Sequence, residues 1–206
     1  MSDVHAADPS EVDTVAGILV AAFQDDPVSR WVFPGDERRR TGAHPAFFRE
    51  IAGAGFAAGH VEVTADHAAA IVWLPGGGDS GDSPVPGLEA AELDRLGVLL
   101  GMMADREPPE RHWHAQFLGV VPGRQRQGVG GRLLRHGLDR FDAEGVPTYL
   151  EASSPDSARL YRRLGFRDHG PAFAPPGGPP MQPMWRPPAG AVTGEYSAPS
   201  NTRRQP

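Results

Sequence analysis

The sequence predicts an α/β domain built on a mixed sheet, and three observations support this prediction. Stretches with apolar residues at helical spacing alternate with short apolar runs that have the length of strands. The 206 residues suffice for one domain with one substantial core, and 39% hydrophobic against 22% charged residues is typical of a globular protein. The excess of glycine and proline, 26 and 22 residues, favours turns, loops and tails around these elements.

The amino half contains a clear helix start. Asp8 is placed to cap free amides, Pro9 suits the first helical position, and Glu11 follows three residues after the cap. The Asp-Asp-Pro segment at 25–27 ends this helix. The other predicted elements of this half are a strand at 4–6, a helix at 37–57, strands at 61–64 and 68–74, a loop at 75–86 and a helix at 88–103. The last helix is predicted to bury Leu93, Leu96, Leu99 and Leu100.

The carboxyl half alternates strands and helices more regularly. Its predicted elements are strands at 111–121 and 147–152, helices at 127–144 and 155–164, and closing strands at 166–173 and 180–185. One domain is predicted over residues 1–186. Residues 187–206 are rich in Pro, Ser, Thr, Arg and Gly and have little to bury, so we predict a disordered C-terminal tail.

Composition excludes several kinds of chemistry. All 20 basic residues are Arg, which excludes a Schiff-base lysine and a Walker-type phosphate loop. The absence of Cys excludes disulfides, a thiolate nucleophile and cysteine metal sites. A net charge of −6 argues against a general nucleic-acid surface. The amino terminus lacks an apolar signal segment and the longest apolar stretches, such as 98–104, are too short to span a bilayer, so we expect a cytoplasmic protein without a membrane partner.

The segment best suited to chemistry is a strand followed at once by a glycine-rich turn and an amphipathic helix. Amides at a helix start carry partial positive charge, and glycines let a phosphate approach the backbone closely. Arg126 adds a mobile positive charge, so a pyrophosphate is the expected ligand. A turn needed only for strand–helix packing is the alternative, and the dinucleotide pattern G-x-G-x-x-G is absent. The turn consists of Gln125, Arg126, Gln127, Gly128, Val129, Gly130 and Gly131.

Two blocks of the carboxyl half carry a recognisable pattern. The first is Gln125-x-x-Gly128-x-Gly130 after a strand. The second is the strand Tyr149-Leu150-Glu151-Ala152-Ser153-Ser154, followed by a helix that ends in Leu160-Tyr161-x-x-x-Gly165-Phe166. Together the blocks resemble the GNAT family of N-acetyltransferases, in which the first is similar to the acetyl-CoA loop. They have the order and separation found in that family and cover about residues 111–167.

Further segments are similar to the branch that contains puromycin N-acetyltransferase-type enzymes. This branch-level similarity does not identify the acceptor amine. The segments are Ala22-Phe23-x-x-Asp26-Pro27, Trp31-x-Phe33-Pro34, and Gly177-Gly178-Pro179-Pro180 with the ending Trp185-Arg186.

The family resemblance implies a fold in which two neighbouring parallel strands, here 111–121 and 147–152, splay apart and admit the pantetheine arm of acetyl-CoA. Leu118, Gly119 and Val120 would pair with that arm through backbone groups. The Leu118 amide, or one beside it, would bind the acetyl carbonyl and support the oxyanion. Ser157 stands where many relatives have an Asn that contacts the cofactor, and serine is shorter.

The resemblance also implies catalytic residues. Tyr161 matches the tyrosine that protonates the departing thiolate, although a packed core tyrosine is the alternative. His114 falls where some relatives have a catalytic Glu, and imidazole titrates near neutrality, which suits a base. His112 shares a strand face with His114, so a metal pair is a further option, but no third ligand is evident and no metal is expected. Glu151 is another candidate base, or an inward carboxylate held by hydrogen bonds; water-mediated proton transfer and packed structural histidines also remain open.

Two charged segments lie outside these blocks. Asp25 and Asp26 follow the first helix and could attract a cationic amine, but a solvated turn is the simpler interpretation. The run at 38–40 (Arg-Arg-Arg) is most simply a solvated helix face, with the 3′-phosphate of CoA as the alternative ligand.

The resulting expectation is an enzyme that transfers acetyl from acetyl-CoA to a primary amine of a small molecule, by direct attack in a ternary complex because no cysteine can carry the acetyl group. A protein or peptide acetyltransferase and a non-catalytic acyl-CoA sensor are the alternatives. Many relatives form dimers, so a homodimer is one option that the sequence does not decide.

Overall fold

The computed structural model describes residues 3–76 and 87–190. It contains one seven-stranded mixed sheet with the strand order β1-β2-β3-β4-β5-β7-β6, which confirms the predicted fold class. The strands are β1 (Val4–Ala6), β2 (Val61–Thr64), β3 (Ala69–Gly76), β4 (His112–Val120), β5 (Thr148–Ala152), β6 (Arg167–Asp168) and β7 (Gln182–Arg186). The helices are α1 (Val12–Phe23), α2 (Pro27–Val32), α3 (Glu37–Ala58), α4 (Ala90–Ala104), α5 (Val129–Glu144) and α6 (Pro155–Arg163).

Each face of the sheet is covered by helices, and each cover has its own apolar core. Leu19 of α1 and Phe48 of α3 pack on one face against Val63 and Val72 of the sheet. Leu134 of α5 and other buried side chains of α5 and α6 pack on the opposite face. Within the described residues no helix is both long and apolar enough to cross a membrane.

The amino-terminal elements follow the sequence prediction closely, with one addition. Asp8 accepts a hydrogen bond from the Ser10 amide, and Glu11 reaches back to complete a capping box, as predicted. The break at 25–27 ends α1, but it also begins the short helix α2, which we did not predict. The Asp26 side chain caps α2 by accepting hydrogen bonds from the amides of Val28 and Ser29.

The predicted burial of four leucines in α4 is wrong for two of them. Leu99 is buried, but Leu93 and Leu100 are 46% and 47% exposed. The inward position near the start of α4 is occupied instead by Glu92, which is buried and paired with Arg39 of α3. An ion pair with another helix therefore takes a place that hydrophobic spacing assigns to leucine.

The closing strands are only partly as predicted. The strand predicted at 166–173 is the two-residue β6, because Gly170 turns with a φ of +75° and Pro171 has no amide to donate. Phe173 rejoins the sheet only through a bridge to Met181. The strand predicted at 180–185 is confirmed as β7. Of the predicted loop at 75–86, residues 75–76 belong to β3 and 77–86 lie outside the described residues, as does most of the predicted tail.

The splay of the central parallel strands is confirmed. β4 and β5 pair in parallel only at Trp113 with Thr148 and at His114 with Tyr149, although β4 continues to Val120. On its other edge β4 pairs with β3, and the register shifts so that Gln116 is the extra residue of a bulge. A bulge bends and twists its strand, which accounts for the divergence of β4 from β5.

Candidate active site

The candidate site is the cleft that opens where β4 and β5 part. Leu118, Gly119 and Val120 form the end of β4 beyond the last pair with β5, so the structure places the predicted pantetheine-binding segment along this cleft. A Cβ on Gly119 would lie 3.0 Å from side-chain atoms of Leu19 and Ala22. Glycine at 119 therefore allows α1 to pack directly on the strand beside the cleft.

The glycine-rich turn leads from the end of β4 into α5. Gly128 has a φ of +77° and is the residue before the helix, where no side chain caps the first amides. These amides are available to an anion, as the pyrophosphate prediction requires. The helix begins at Val129 and not at 127 as predicted, because Arg126 and Gly128 both adopt left-handed backbone conformations.

The two glutamines of the turn brace it. The Gln125 side chain donates to the Val120 carbonyl at 3.1 Å, and the Gln127 side chain donates to the Gly123 carbonyl at 2.8 Å. Both glutamine side chains therefore hold the loop in its conformation. The groups of the turn that remain for a ligand are its backbone amides. A Cβ on Gly130 or on Gly131 would come within 3.1 Å of Val120 or 3.2 Å of Leu160, so these glycines keep α5 close to its neighbours.

A second arginine joins Arg126 at this turn. The Nη1 atom of Arg132 lies 3.4 Å from the point where a Cβ on Gly128 would stand. We did not single out Arg132 from the sequence, although it is four residues after Gly128 and hence on the same side of the first helical turn. Two guanidinium groups and uncapped amides fit a pyrophosphate at this place.

A histidine and a carboxylate meet where the strands part. Nε2 of His114 on β4 lies 2.8 Å from Oε2 of Glu151 on β5, and both side chains are almost fully buried. Burial alone would lower the pKa of His114, but the charge of Glu151 and the hydrogen bond to it outweigh burial and raise that pKa above its usual value. The two candidate bases are thus one unit, in which Glu151 orients the imidazole and increases its basicity.

The second histidine of the strand belongs to a different pair. His112 shares the face of His114, as predicted, and both rings contact Tyr149, with centroids 5.5 and 5.1 Å away. Its Nδ1 lies 2.7 Å from the Glu110 carbonyl and its Nε2 lies 3.1 Å from Oε1 of Glu107. The two imidazoles therefore face separate carboxylates, and the described part of the chain contains no group of three or more side chains suited to a metal ion.

Tyr161 stands near the end of α6, on the side of the sheet that carries α5. Its ring packs against Phe166, with centroids 5.9 Å apart. Burial, and then the nearby negative charge of Asp26, raise the pKa of Tyr161 to about 12. The phenol therefore keeps its proton throughout the neutral range and is chemically able to donate it.

Ser157 serves the start of α6. It accepts hydrogen bonds from the amide and hydroxyl of Ser154 at 3.2 and 3.0 Å and donates to the Ser154 carbonyl at 2.9 Å. These bonds form a capping box with Ser154 as the N-cap residue. The Ser157 hydroxyl is therefore committed to the helix, and its role at the cofactor stays a prediction.

The sequence predicts a solvated turn at residues 25–26 and a solvated helix face at residues 38–40, and each prediction is only partly correct. Asp25 is exposed and pairs with Arg30, whereas Asp26 is turned inward toward Ser153 and Tyr161. Arg39 pairs with Glu92, and the buried Arg40 donates to the carbonyls of Gln24 and Gly35. Arg39 and Arg40 therefore tie α3 to its neighbours, and a solvated face is wrong for both.

A splayed mixed sheet with a glycine-rich turn beside it is typical of the class of acyl-CoA N-acyltransferase folds. The model of the acetyltransferase (GNAT) family matches residues 54–166, which is more than half of the chain. The protein therefore belongs to the GNAT acetyltransferase family. Enzymes of this family use acetyl-CoA as their cosubstrate.

Individual relatives match shorter stretches of sequence. A mycothiol acetyltransferase of Streptomyces avermitilis is 39% identical over 71 residues, which cover 28% of this chain and 23% of that protein. A mycothiol acetyltransferase of Clavibacter sepedonicus is 36% identical over 89 residues, which cover 38% of this chain and 29% of that protein. The match thus spans less than a third of the length of these curated relatives.

Solved structures match over nearly the whole length. The structure of a histone acetyltransferase HPA2 and related acetyltransferase from Corynebacterium glutamicum has a TM-score of 0.65 and 27% identity, covering 92% of this chain and 98% of that one. Arylalkylamine N-acetyltransferase 2 of Aedes aegypti has a TM-score of 0.69 at 12% identity, covering 90% of this chain and 98% of that one. This likeness concerns the fold alone.

Proposed function

We propose that the protein is an N-acetyltransferase that moves the acetyl group of acetyl-CoA onto a primary amine of a small molecule, by direct attack in a ternary complex. The observation that carries the proposal is the His114–Glu151 pair at the point where β4 leaves β5. In this proposal the pair acts as the base, in a cleft that continues to the turn proposed to bind the pyrophosphate. Family membership supplies the reaction class, and the mycothiol acetyltransferases support a small-molecule acceptor.

The cosubstrate would be held by backbone and guanidinium groups. The first amides of α5, with Arg126 and Arg132, would bind the pyrophosphate, and the segment Leu118, Gly119 and Val120, which has no strand partner from β5, would pair with the pantetheine arm. When bound, acetyl-CoA supplies a thioester, which is an activated acyl group with a thiolate as the leaving group. An amide at or beside Leu118 is the proposed hydrogen-bond donor to the acetyl oxygen.

Proton transfer is assigned to two groups, a base for the attacking amine and an acid for the departing thiolate. An amine attacks only after it has lost its proton, and the His114 imidazole, oriented through Nε2 by Glu151, has Nδ1 left to accept that proton. The carboxylate stabilises the imidazolium that forms. Tyr161 is the proposed acid for the thiolate, because its raised pKa keeps the phenol protonated at working pH. The absence of cysteine leaves direct transfer as the simplest course.

A peptide or protein acceptor is the second candidate, and the similarity to the histone acetyltransferase HPA2 and related acetyltransferase from Corynebacterium glutamicum favours it. The distinction concerns only the acceptor, since cofactor binding and proton transfer would use the same residues. A non-catalytic sensor would keep the turn and would not need the His114–Glu151 pair.

The test begins with isothermal titration of the purified protein with acetyl-CoA. We expect saturable binding of one molecule per chain, followed by thiol release when a panel of small amines is added, and slower release with peptides that carry free amino termini. Faster release with peptides would favour the second candidate, and binding without any thiol release would favour a sensor. Absence of binding by the folded protein would reject the proposed function.

A further inference from the structure

The two carboxylate oxygens of Asp26 differ in their hydrogen bonds: one accepts two bonds of normal length, and the other accepts one long bond. Oδ1 accepts the amides of Val28 and Ser29 at 2.9 and 3.0 Å, which completes the cap of α2. Oδ2 accepts a hydrogen bond from the Ser153 hydroxyl at 3.3 Å. That distance is long for a hydroxyl donor, since such bonds centre near about 2.7 Å. Oδ2 therefore retains capacity for a stronger donor.

The surroundings of Asp26 favour a cation at that oxygen. Burial raises the pKa of Asp26, against the lowering effect of its hydrogen bonds from Ser29, Val28 and Ser153, so the anion is less well solvated than in water. A positively charged donor next to Oδ2 would offset this cost and form a charge-assisted hydrogen bond. The cap of α2 does not need that second oxygen.

Asp26 also lies at the reacting end of the proposed site. Its charge acts on Tyr161, the proposed acid, and Ser153 follows Glu151 by two residues along the chain. Two residues of extended chain span about 7 Å. Through Ser153, Asp26 is thus placed next to the end of β5, the strand that carries Glu151, and it approaches from the loop between α1 and α2.

The charge that Asp26 binds is best assigned to a part of the acceptor other than the reacting nitrogen. That nitrogen has to be neutral when it attacks, and a carboxylate beside it would hold it as an ammonium ion and oppose the reaction. We propose that Asp26 is a specificity-determining residue that selects acceptor amines with a second positive charge, which Oδ2 receives. This inference rests on the proposed function and narrows its substrate class to diamines and related dications.

The experiment compares two acceptors that share the reacting amine and differ in the second group. These are 1,4-diaminobutane, which carries the second charge, and 4-amino-1-butanol, which does not. Asp26→Asn is the informative variant, because asparagine caps a helix about as well as aspartate and only the charge is lost. Asp25→Asn is the matched control: it removes the same charge one residue away, from a side chain that is 80% exposed.

We expect the wild type to prefer the diamine in kcat/KM and Asp26→Asn to lose at least about tenfold of that preference, while Asp25→Asn keeps it. Taking the ratio of the two acceptors cancels any effect of Asp26 on Tyr161. Calorimetric titration of 1,4-diaminobutane into the protein saturated with CoA gives a readout without turnover, and we expect Asp26→Asn to weaken binding by a similar factor.

The results that would reject the role of Asp26 differ from those that would reject the proposed function. If the wild type acetylates both acceptors equally, or if Asp26→Asn keeps the preference and the binding of the diamine, the role of Asp26 is rejected and the acetyltransferase proposal stands. If the protein binds acetyl-CoA but releases thiol with no amine and binds no diamine in the CoA complex, both are rejected.

Discussion

His114 and Glu151 lie 37 positions apart in the chain, and their side chains meet at 2.8 Å because β4 and β5 are parallel neighbours. His114 belongs to the last register pair of these strands, opposite Tyr149, and Glu151 follows that tyrosine by two residues on the same face. The Tyr149 hydroxyl is also buried beside them, and burial followed by the charge of Glu151 raises the pKa of that phenol. The cleft thus opens on a buried acid–base pair.

The pair makes the pH dependence of the reaction a direct test. If His114 is the base, kcat/KM falls as the pH drops through its pKa. Glu151→Gln removes the carboxylate charge that raises this pKa, while burial, which lowers it, remains. We therefore expect the acid-side fall of kcat/KM to move to lower pH in Glu151→Gln, measured as thiol release from pH 5 to 9.

His114→Ala is the companion variant for that profile. We expect it to lose the inflection of His114 altogether along with most of its rate, since general-base assistance contributes on the order of 10² to 10⁴. An unchanged inflection in His114→Ala would exclude His114 as the base and favour proton transfer to water.

Tyr161→Phe separates catalysis from cofactor binding. The substitution removes the phenolic proton donor but keeps the ring that packs against Phe166, so the fold should persist. We expect kcat to fall on the order of 10²-fold or more, with the dissociation constant for acetyl-CoA, measured by calorimetry, nearly unchanged. Unimpaired turnover would show that Tyr161 is a packed core tyrosine and not the acid.

The glycine-rich turn can be tested with an isosteric pair at Gly128. The φ of +77° at this position strains most side chains, but Asn and Asp both tolerate the left-handed region, and a Cβ there has room. Gly128→Asp adds a carboxylate where the pyrophosphate is proposed, and Gly128→Asn adds the same volume without the charge. We expect CoA binding to be abolished in the Asp variant and only weakened in the Asn variant. Equal binding by the two would contradict the placement of the pyrophosphate.

The elements that sequence reasoning located are those with local signals. The capping box of Asp8 and Glu11, the two short strands at 4–6 and 61–64, and the turn before α5 are all encoded by neighbouring residues. Helix α2 was not predicted because its six residues make less than two helical turns, which is too short for a periodic pattern. Only Asp26-Pro27 marks its start.

The features that sequence reasoning missed depend on residues far apart in the chain. Glu92 is buried in place of Leu93 because Arg39, on another helix, neutralises it. The bulge at Gln116 reverses the faces of β4 after His114, and no local pattern indicates it. Likewise the contact of Trp31 with residue 176, in which the indole N–H donates to the Pro176 carbonyl at 3.1 Å, joins two motifs that the sequence presents separately.

A buried histidine beneath α2 predicts a pH dependence of stability that is separate from catalysis. His44 of α3 is fully buried, and its Nε2 lies 2.8 Å from Oγ of Ser29. Burial, and then the charge of Arg40, lower the pKa of His44 to about 4. The unfolded chain, whose histidine has a pKa of about 6.5, takes up a proton before the folded protein does as the pH falls. The free energy of unfolding should therefore decrease between pH 6.5 and 4, by about 3 kcal/mol from this group.

Two variants isolate that contribution in urea unfolding measured from pH 7 to 4. His44→Gln cannot titrate, so its destabilisation relative to the wild type should be largest at pH 7 and shrink toward pH 4, because the titration of all other groups cancels in the difference. Ser29→Ala removes the hydrogen-bond partner but keeps the buried imidazole, so its free energy of unfolding should still decrease as the pH falls from 7 to 4. Parallel curves for His44→Gln and the wild type would mean that His44 titrates alike in the folded and unfolded chain and that its burial does not suppress its charge.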